Sequence, residues 1–176
     1  SFRPMQVSQR KTSYRKDDRR LHVDSFPSAP NPGKRILRVF CNINPQGKPR
    51  IWRLGEPFQT VAERFIPQIK KPIPGFARLL RFLKITKSYR TPYDHYMLRM
   101  HDRMKQDSDY QRSALQQEVQ FPAASSWIVQ TDSVSHAALD GQYLLEQTFY
   151  LPVDAMQDKN EAPLTILENL LKRRLA

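Results

Sequence analysis

Two groups of strand signals, separated by a long helical stretch, constrain this chain most. Arg35-Ile36-Leu37-Arg38-Val39-Phe40-Cys41-Asn42-Ile43-Asn44 is rich in β-formers and lies between two turns, Asn31-Pro32-Gly33 and Pro45-Gln46-Gly47-Lys48-Pro49. A short strand follows at 50–53. From Pro57 the period changes, because Phe58, Val61, Phe65, Ile66 and Ile69 recur at helical intervals until Pro72 and Pro74 interrupt them. A second helix is predicted over about 75–83 and a third from Thr91. There Thr-Pro-Tyr-Asp supplies an N-cap, a proline in the first turn and an acid three residues on. Tyr93, Tyr96, Met97, Met100 and Met104 give that helix one apolar stripe. Strand signals return at 118–121 and 126–130, and Asp140-Gly141 predicts a tight hairpin turn into 142–150. Other strands are expected at 4–9, 12–16 and 20–26, and a closing helix at 164–175. The expected fold is mainly β, with a helical insertion over 57–112 and a C-terminal helix. Its strand, loop, strand order is that of small barrels and jelly rolls.

The chemistry-bearing motif is His22-Val23-Asp24. Residues two apart on an extended chain share a face, so His22 and Asp24 project together and Val23 points away. His136 is the expected third ligand, and two imidazoles with one carboxylate form the ligand set of a mononuclear non-heme Fe(II) oxygenase. His95 and His101 are six residues apart on the third helix, which suits a structural or substrate-facing role better than a second metal site. Asp132 precedes His136 by four residues and is expected either to orient its ring or to cap the loop. Trp52 and Trp127 read as core or rim.

At 176 residues the chain is expected to be one domain with a real core. A start at Ser1 in polar sequence is taken as a cut within a longer protein. No run is apolar enough for a membrane span, so a soluble protein is expected. The single cysteine, Cys41, excludes an intrachain disulfide, fits a reducing compartment and suits a small buried position. The net charge of +12 favours polyanions: nucleic acid, anionic lipid, or a phosphorylated or carboxylated substrate. Basic residues concentrate over 10–20, over 70–90 and at Lys172-Arg173-Arg174. No helix-turn-helix, zinc-finger or stacking-platform signature is present, so nucleic acid is not the expected partner. The rivals to an oxygenase are a nucleic-acid- or polyanion-binding domain and a zinc-dependent cupin-like hydrolase.

Longer strings add a family resemblance. Leu21-His22-Val23-Asp24, Phe26-Pro27-Ser28 and the 35–40 strand resemble the iron- and 2-oxoglutarate-dependent Kdo hydroxylases of Gram-negative bacteria. So do Tyr93-Asp94-His95, His101-Asp102, Asp109-Tyr110-Gln111, Ser135-His136-Ala137, Leu145-Glu146-Gln147-Thr148 and Leu151-Pro152-Val153-Asp154-Ala155-Met156. The resemblance covers nearly the whole chain. It implies one dioxygenase domain over 1–176 with a double-stranded β-helix (jelly roll, cupin-like) fold. It further implies Fe(II) on His22, Asp24 and His136, 2-oxoglutarate as cosubstrate, and hydroxylation at carbon 3 of Kdo in Kdo-lipid A or a related sugar acid, giving Ko. Many oxygenases of this kind place the basic anchor for 2-oxoglutarate shortly beyond the distal histidine, where this chain has Glu146 and Gln147 and no base before Lys159. Arg38 is the expected substitute, with Asn42 and Gln147 beside the cosubstrate, since arginine matches a planar carboxylate. Arg35 has the opposite parity, so only one of the two is expected to point inward. Arg15, Arg20 and His95 are expected to meet the sugar acid. The implied location is cytoplasmic, against the anionic inner face of the inner membrane.

Overall fold

Alternating burial along the extended segments organises the molecule into two antiparallel sheets. In the computed structural model, which describes residues 1–10 and 12–176, the strands are β1 (Phe2–Arg3), β2 (Arg35–Asn42), β3 (Arg50–Pro57), β4 (Gln117–Phe121), β5 (Ser126–Gln130), β6 (Val134–Asp140) and β7 (Leu144–Leu151). One sheet has the order β1-β7-β2-β5 and the other β4-β3-β6. On β2, Ile36, Arg38, Phe40 and Asn42 are buried toward the other sheet. The space between the sheets is filled by Phe40, Trp52, Ala138 and Leu144 with Phe121 and Trp127, and Phe121 stacks on Trp127 at 3.9 Å between centroids.

A second core lies outside the smaller sheet. It gathers the helices α1 (Phe58–Phe65), α3 (Pro92–Gln106), α4 (Ser108–Ser113) and α5 (Pro163–Leu171), while α2 (Phe76–Phe82) contributes only Leu80 to buried surface. The start of α3 is a capping box: Thr91 Oγ1 accepts from Asp94 N, and Asp94 Oδ2 accepts from Thr91 N at 2.8 Å. Its stripe of Tyr93, Tyr96, Met97, Met100 and Met104 is buried against α1, α5 and the segment around Leu21 and Val23. No helix among the described residues is long and apolar enough to cross a membrane.

The structure departs from the sequence expectations at five places. The expected strand at 4–9 is irregular, and 12–16 contains a 3-10 turn at Tyr14–Lys16. The segment around His22 is extended but forms a single bridge, His22 to His136. Leu21 instead exchanges two hydrogen bonds with the Gln111 side chain, which replaces a neighbouring strand. The expected hairpin is not one. β6 pairs with β3 while β7 pairs with β1 and β2, so Asp140-Gly141 begins a crossing between sheets. Both arginines of β2 are buried: Arg38 faces between the sheets, and Arg35 lies on the opposite face under Asp132, Gln130, Ser133 and Met156.

Candidate metal centre

Val23 anchors the metal-ligand motif by what it does on the far side. Leu21 and Val23 are fully buried in the helical core, and that packing turns His22 and Asp24 to the gap between the sheets. Reciprocal backbone hydrogen bonds, His22 N to His136 O at 3.0 Å and His136 N to His22 O at 2.9 Å, bring the distal histidine directly alongside. One ligand atom from each of His22, Asp24 and His136 lies within 4.8 Å of the others, and all three residues are buried. The separations from Asp24 Oδ1 are 3.6 Å to His22 Nε2 and 4.0 Å to His136 Nε2.

The surroundings select the protonation that a metal ion needs. His22 Nδ1 lies 2.7 Å from Arg20 O and His136 Nδ1 lies 2.8 Å from Val134 O, so each Nδ1 donates to a carbonyl and each Nε2 presents its lone pair. Burial pushes the His22 imidazole down to about 4 against the pull of Asp24, and burial also lowers His136. Burial opposes the charge on Asp24, but the Arg38 guanidinium beside it helps to hold the carboxyl well below the usual carboxylate range. Two neutral imidazoles and one carboxylate therefore face a common point near neutral pH, which suits a divalent cation.

Beside this point opens a cavity of about 310 Å³ that six cations line: Arg3, Arg15, Lys16, Arg38, Arg50 and Lys105. Arg38 donates to Asp24 Oδ2 at 2.8 Å and to Glu146 Oε2 at 2.7 Å, so it orients the carboxylate whose other oxygen faces the histidines. Its buried Nε has no partner among the described residues. Arg50 has no acidic partner among the described residues; it donates to Gly141 O, and its buried Nε is also unpartnered. Burial, with Arg3 adding like charge, pushes the Arg50 guanidinium down to about 10. A Cβ at Gly141 would lie 2.6 Å from Arg50 Cδ, and the residue has φ +115°, so glycine there lets Arg50 lie across the backbone. Trp52 stacks on His136 at 5.3 Å between centroids, and its indole N–H is a third buried donor without a partner among the described residues. Three such donors lining one cavity, Arg38 from β2 and Arg50 and Trp52 from β3 of the facing sheet, suit an anionic acceptor, since leaving each unmade costs roughly 1–3 kcal/mol.

Of the other residues singled out from the sequence, Arg15 lines the opening and pairs with Asp102 at 3.3 Å. Four do not serve the cavity. Asn42 is buried, but its amide donates to Lys48 O and Phe121 O and its oxygen accepts from Asn44 N, so it holds the turn instead. Gln147 is exposed because its parity on β7 is opposite to that of Glu146. Arg20 is spent on Lys105 O and Asp17. His95 faces a separate groove and contacts Lys70 O, whereas His101, roughly 120° away around α3, stands edge-on to His22 at 5.3 Å. Asp132 accepts from Arg35 rather than from His136. The sequence reading missed Arg3, Lys16, Arg50 and Lys105. Arg50 was legible in one respect, since it shares strand parity with Trp52.

The family model for 3-deoxy-D-manno-oct-2-ulosonic acid (Kdo) hydroxylase matches residues 1–174. Among solved structures, this chain is similar to the Kdo hydroxylase KdoO, a non-heme Fe(II) alphaketoglutarate dependent dioxygenase, in complex with alphaketoglutarate and Fe(III). That match has 56% identity and a TM-score of 0.98, and it covers 100% of this chain and 60% of the other. The cobalt(II) complex of KdoO matches at 56% identity and a TM-score of 0.98 over 99% of this chain and 59% of that one. The complex with succinate and Fe(III) matches at 55% and 0.97 over the same shares. The chain thus spans about 60% of the length of the solved relatives it matches. No curated protein sequence matches it.

Proposed function

Because the chain belongs to the 3-deoxy-D-manno-oct-2-ulosonic acid (Kdo) hydroxylase family, we propose that residues 1–176 form the dioxygenase domain of an Fe(II)- and 2-oxoglutarate-dependent hydroxylase. Its acceptor is carbon 3 of Kdo in Kdo-lipid A or a related sugar acid, giving Ko. The observation that carries this reading is the convergence of His22, Asp24 and His136 beside a cavity lined by buried donors that have no partner among the described residues. Strand order supports a double-stranded β-helix: with the 22–24 segment counted beside β6, there are two four-stranded sheets, and the chain alternates between them except from β3 to β4, which share a sheet. Helices over 57–112 interrupt that winding as one insertion.

Iron held by the three ligands would supply the one-electron chemistry that couples decarboxylation of 2-oxoglutarate to hydroxylation of a sugar C–H bond. The protein residues position the reactants. Arg50, the Arg38 Nε and the Trp52 N–H hold the carboxylates of 2-oxoglutarate, a division of labour that replaces a single base after His136. Arg38 also fixes Asp24, and Glu146 fixes Arg38. Phe40, Trp52, Phe26 and Pro27 give the cavity apolar walls that limit water. Arg15 and Lys16, the exposed cations of the lining, meet the carboxylate of the sugar acid, while Lys105 is buried beneath them and donates to Arg15 O. A nucleic-acid partner fits less well, because these cations converge into a cavity rather than along a groove. The acceptor's lipid anchor places the protein at the cytoplasmic, anionic face of the inner membrane.

The test is turnover by the complete Fe(II)-loaded protein on Kdo-lipid A, with succinate and Ko both measured. Absence of succinate release under those conditions would sink the assignment. Arg50→Gln is expected to raise the KM for 2-oxoglutarate roughly a hundredfold, as the loss of a charged hydrogen-bonding anchor. Iron affinity should stay at the parental value, and an unchanged KM would reassign the anchor.

A further inference from the structure

The segment between α1 and α3 has a composition and an exposure that the metal centre does not use. From Arg64 to Tyr93 there is no acidic residue. Lys70, Lys71, Arg78, Arg81, Lys84 and Lys87 are exposed, and Arg90 is half-buried. Among these cations stand apolar side chains that the fold leaves in solvent: Ile73 at 71% exposure and Phe82 at 81%, with Phe76, Leu79, Leu83 and Ile85 each near half. Leu80 and Thr86 are the points at which the segment inserts into the molecule. A groove of about 360 Å³ adjoins it, lined by Ile73, Phe76 and Tyr89 together with Arg90, Arg99 and Arg173.

We propose that residues 70–90, centred on α2, are the surface by which this protein docks on an anionic lipid bilayer. A bilayer is the partner that rewards both halves of the pattern at once: lipid phosphates meet the cations while the acyl boundary receives Phe82, Leu83, Phe76 and Ile73. A nucleic acid would use the charge and leave the aliphatic side chains wet. A protein partner would bury the apolar residues, but lysine is depleted from such interfaces and the segment holds four exposed lysines. Position strengthens the case. Lys87 N donates to Ser28 O at 2.9 Å and Arg90 Nη2 donates to Pro27 O at 2.7 Å, and Phe26 and Pro27 form part of the rim of the metal-site cavity. A bilayer resting on α2 is thereby joined through one short loop to the mouth where a lipid-linked sugar acid must enter. The inference builds on the reading of a membrane-anchored acceptor, but its assay contains no acceptor, iron or 2-oxoglutarate, so the two fail separately.

The experiment is cosedimentation of the complete protein with phosphatidylglycerol-rich vesicles and, in parallel, with pure phosphatidylcholine vesicles. The parent is expected to bind the anionic vesicles and not the neutral ones. The triple variant Arg78→Glu/Arg81→Glu/Lys84→Glu should bind roughly a hundredfold more weakly, since each cation near an anionic surface is worth about a fivefold change. Phe82→Ser/Leu83→Ser should remove the binding that survives high salt. These side chains are exposed, so both variants should melt at the parental temperature. Triple-variant binding equal to the parent's, equal affinity for both vesicle types, or serine-variant binding that matches the parent at high salt would each overturn the proposal.

Discussion

His136→Ala is expected to reduce iron affinity by more than about a hundredfold and to bring succinate release to background. Losing a partner that merely supports a ligand costs up to about a hundredfold in affinity, and His136 is proposed as a ligand itself. The substitution also removes the ring on which Trp52 stacks, so the fold must be followed separately. The backbone pairing with His22 uses main-chain atoms and should persist. Equilibrium dialysis with Fe(II) or Co(II) reads the affinity, and near-UV circular dichroism reads the tryptophan environment. A variant that bound iron as tightly as the parent would remove His136 from the centre, and with it the oxygenase reading.

Asp132→Ala is expected to carry the largest cost in stability. Arg35 is 1% exposed and Asp132 fully buried, and the guanidinium donates twice to this carboxylate at 2.7 and 3.2 Å. Alanine leaves a charged guanidinium in the interior with Gln130, Ser133 and Met156 as its remaining side-chain partners among the described residues. Breaking a buried pair on one side costs about 3–5 kcal/mol. For a chain of this size that corresponds to a fall in Tm of about 10 °C. The double substitution Arg35→Met/Asp132→Leu should recover most of the loss, because a well-packed apolar pair avoids desolvation of either charge. Thermal melts of the two variants decide the matter. If the single variant melts with the parent, the pair contributes nothing to the fold.

These two aspartates illustrate how far local reading reaches. Asp24 could be placed because strand alternation ties it to His22 and opposes both to Val23, and period two acts within three residues. Asp132 could not. Its distance along the chain from His136 suggested an orienting role, but its partner is Arg35, which β2 brings in from the other side of the sheet. Arg35 itself broke the parity argument: alternation says which face a side chain takes, and does not say whether that face is covered. Gln130 at the end of β5 and the turn at 131–133 cover it.

The Asp140-Gly141 dipeptide gives a parallel lesson. A tight turn is legible there, but not whether the next strand joins the same sheet or the facing one. The glycine instead lets Arg50 lie close against the backbone.

The sequence by itself determined the elements with a strong internal period: β2, the striped helix α3 with its capping box, and the His-x-Asp motif with its same-face geometry. Each depends on interactions within a few residues, so it is written wherever those residues are. Only the tertiary structure decided which cations meet the cavity. Arg50, Arg38, Lys105 and Arg3 arrive from β3, β2, α3 and β1, and their roles follow from which of them find carboxylates on arrival. Arg38 finds Asp24 and Glu146, Arg3 finds Glu146, and Arg50 finds none among the described residues. That difference is a matter of burial and partnership between distant segments, and no local pattern in the chain encodes it.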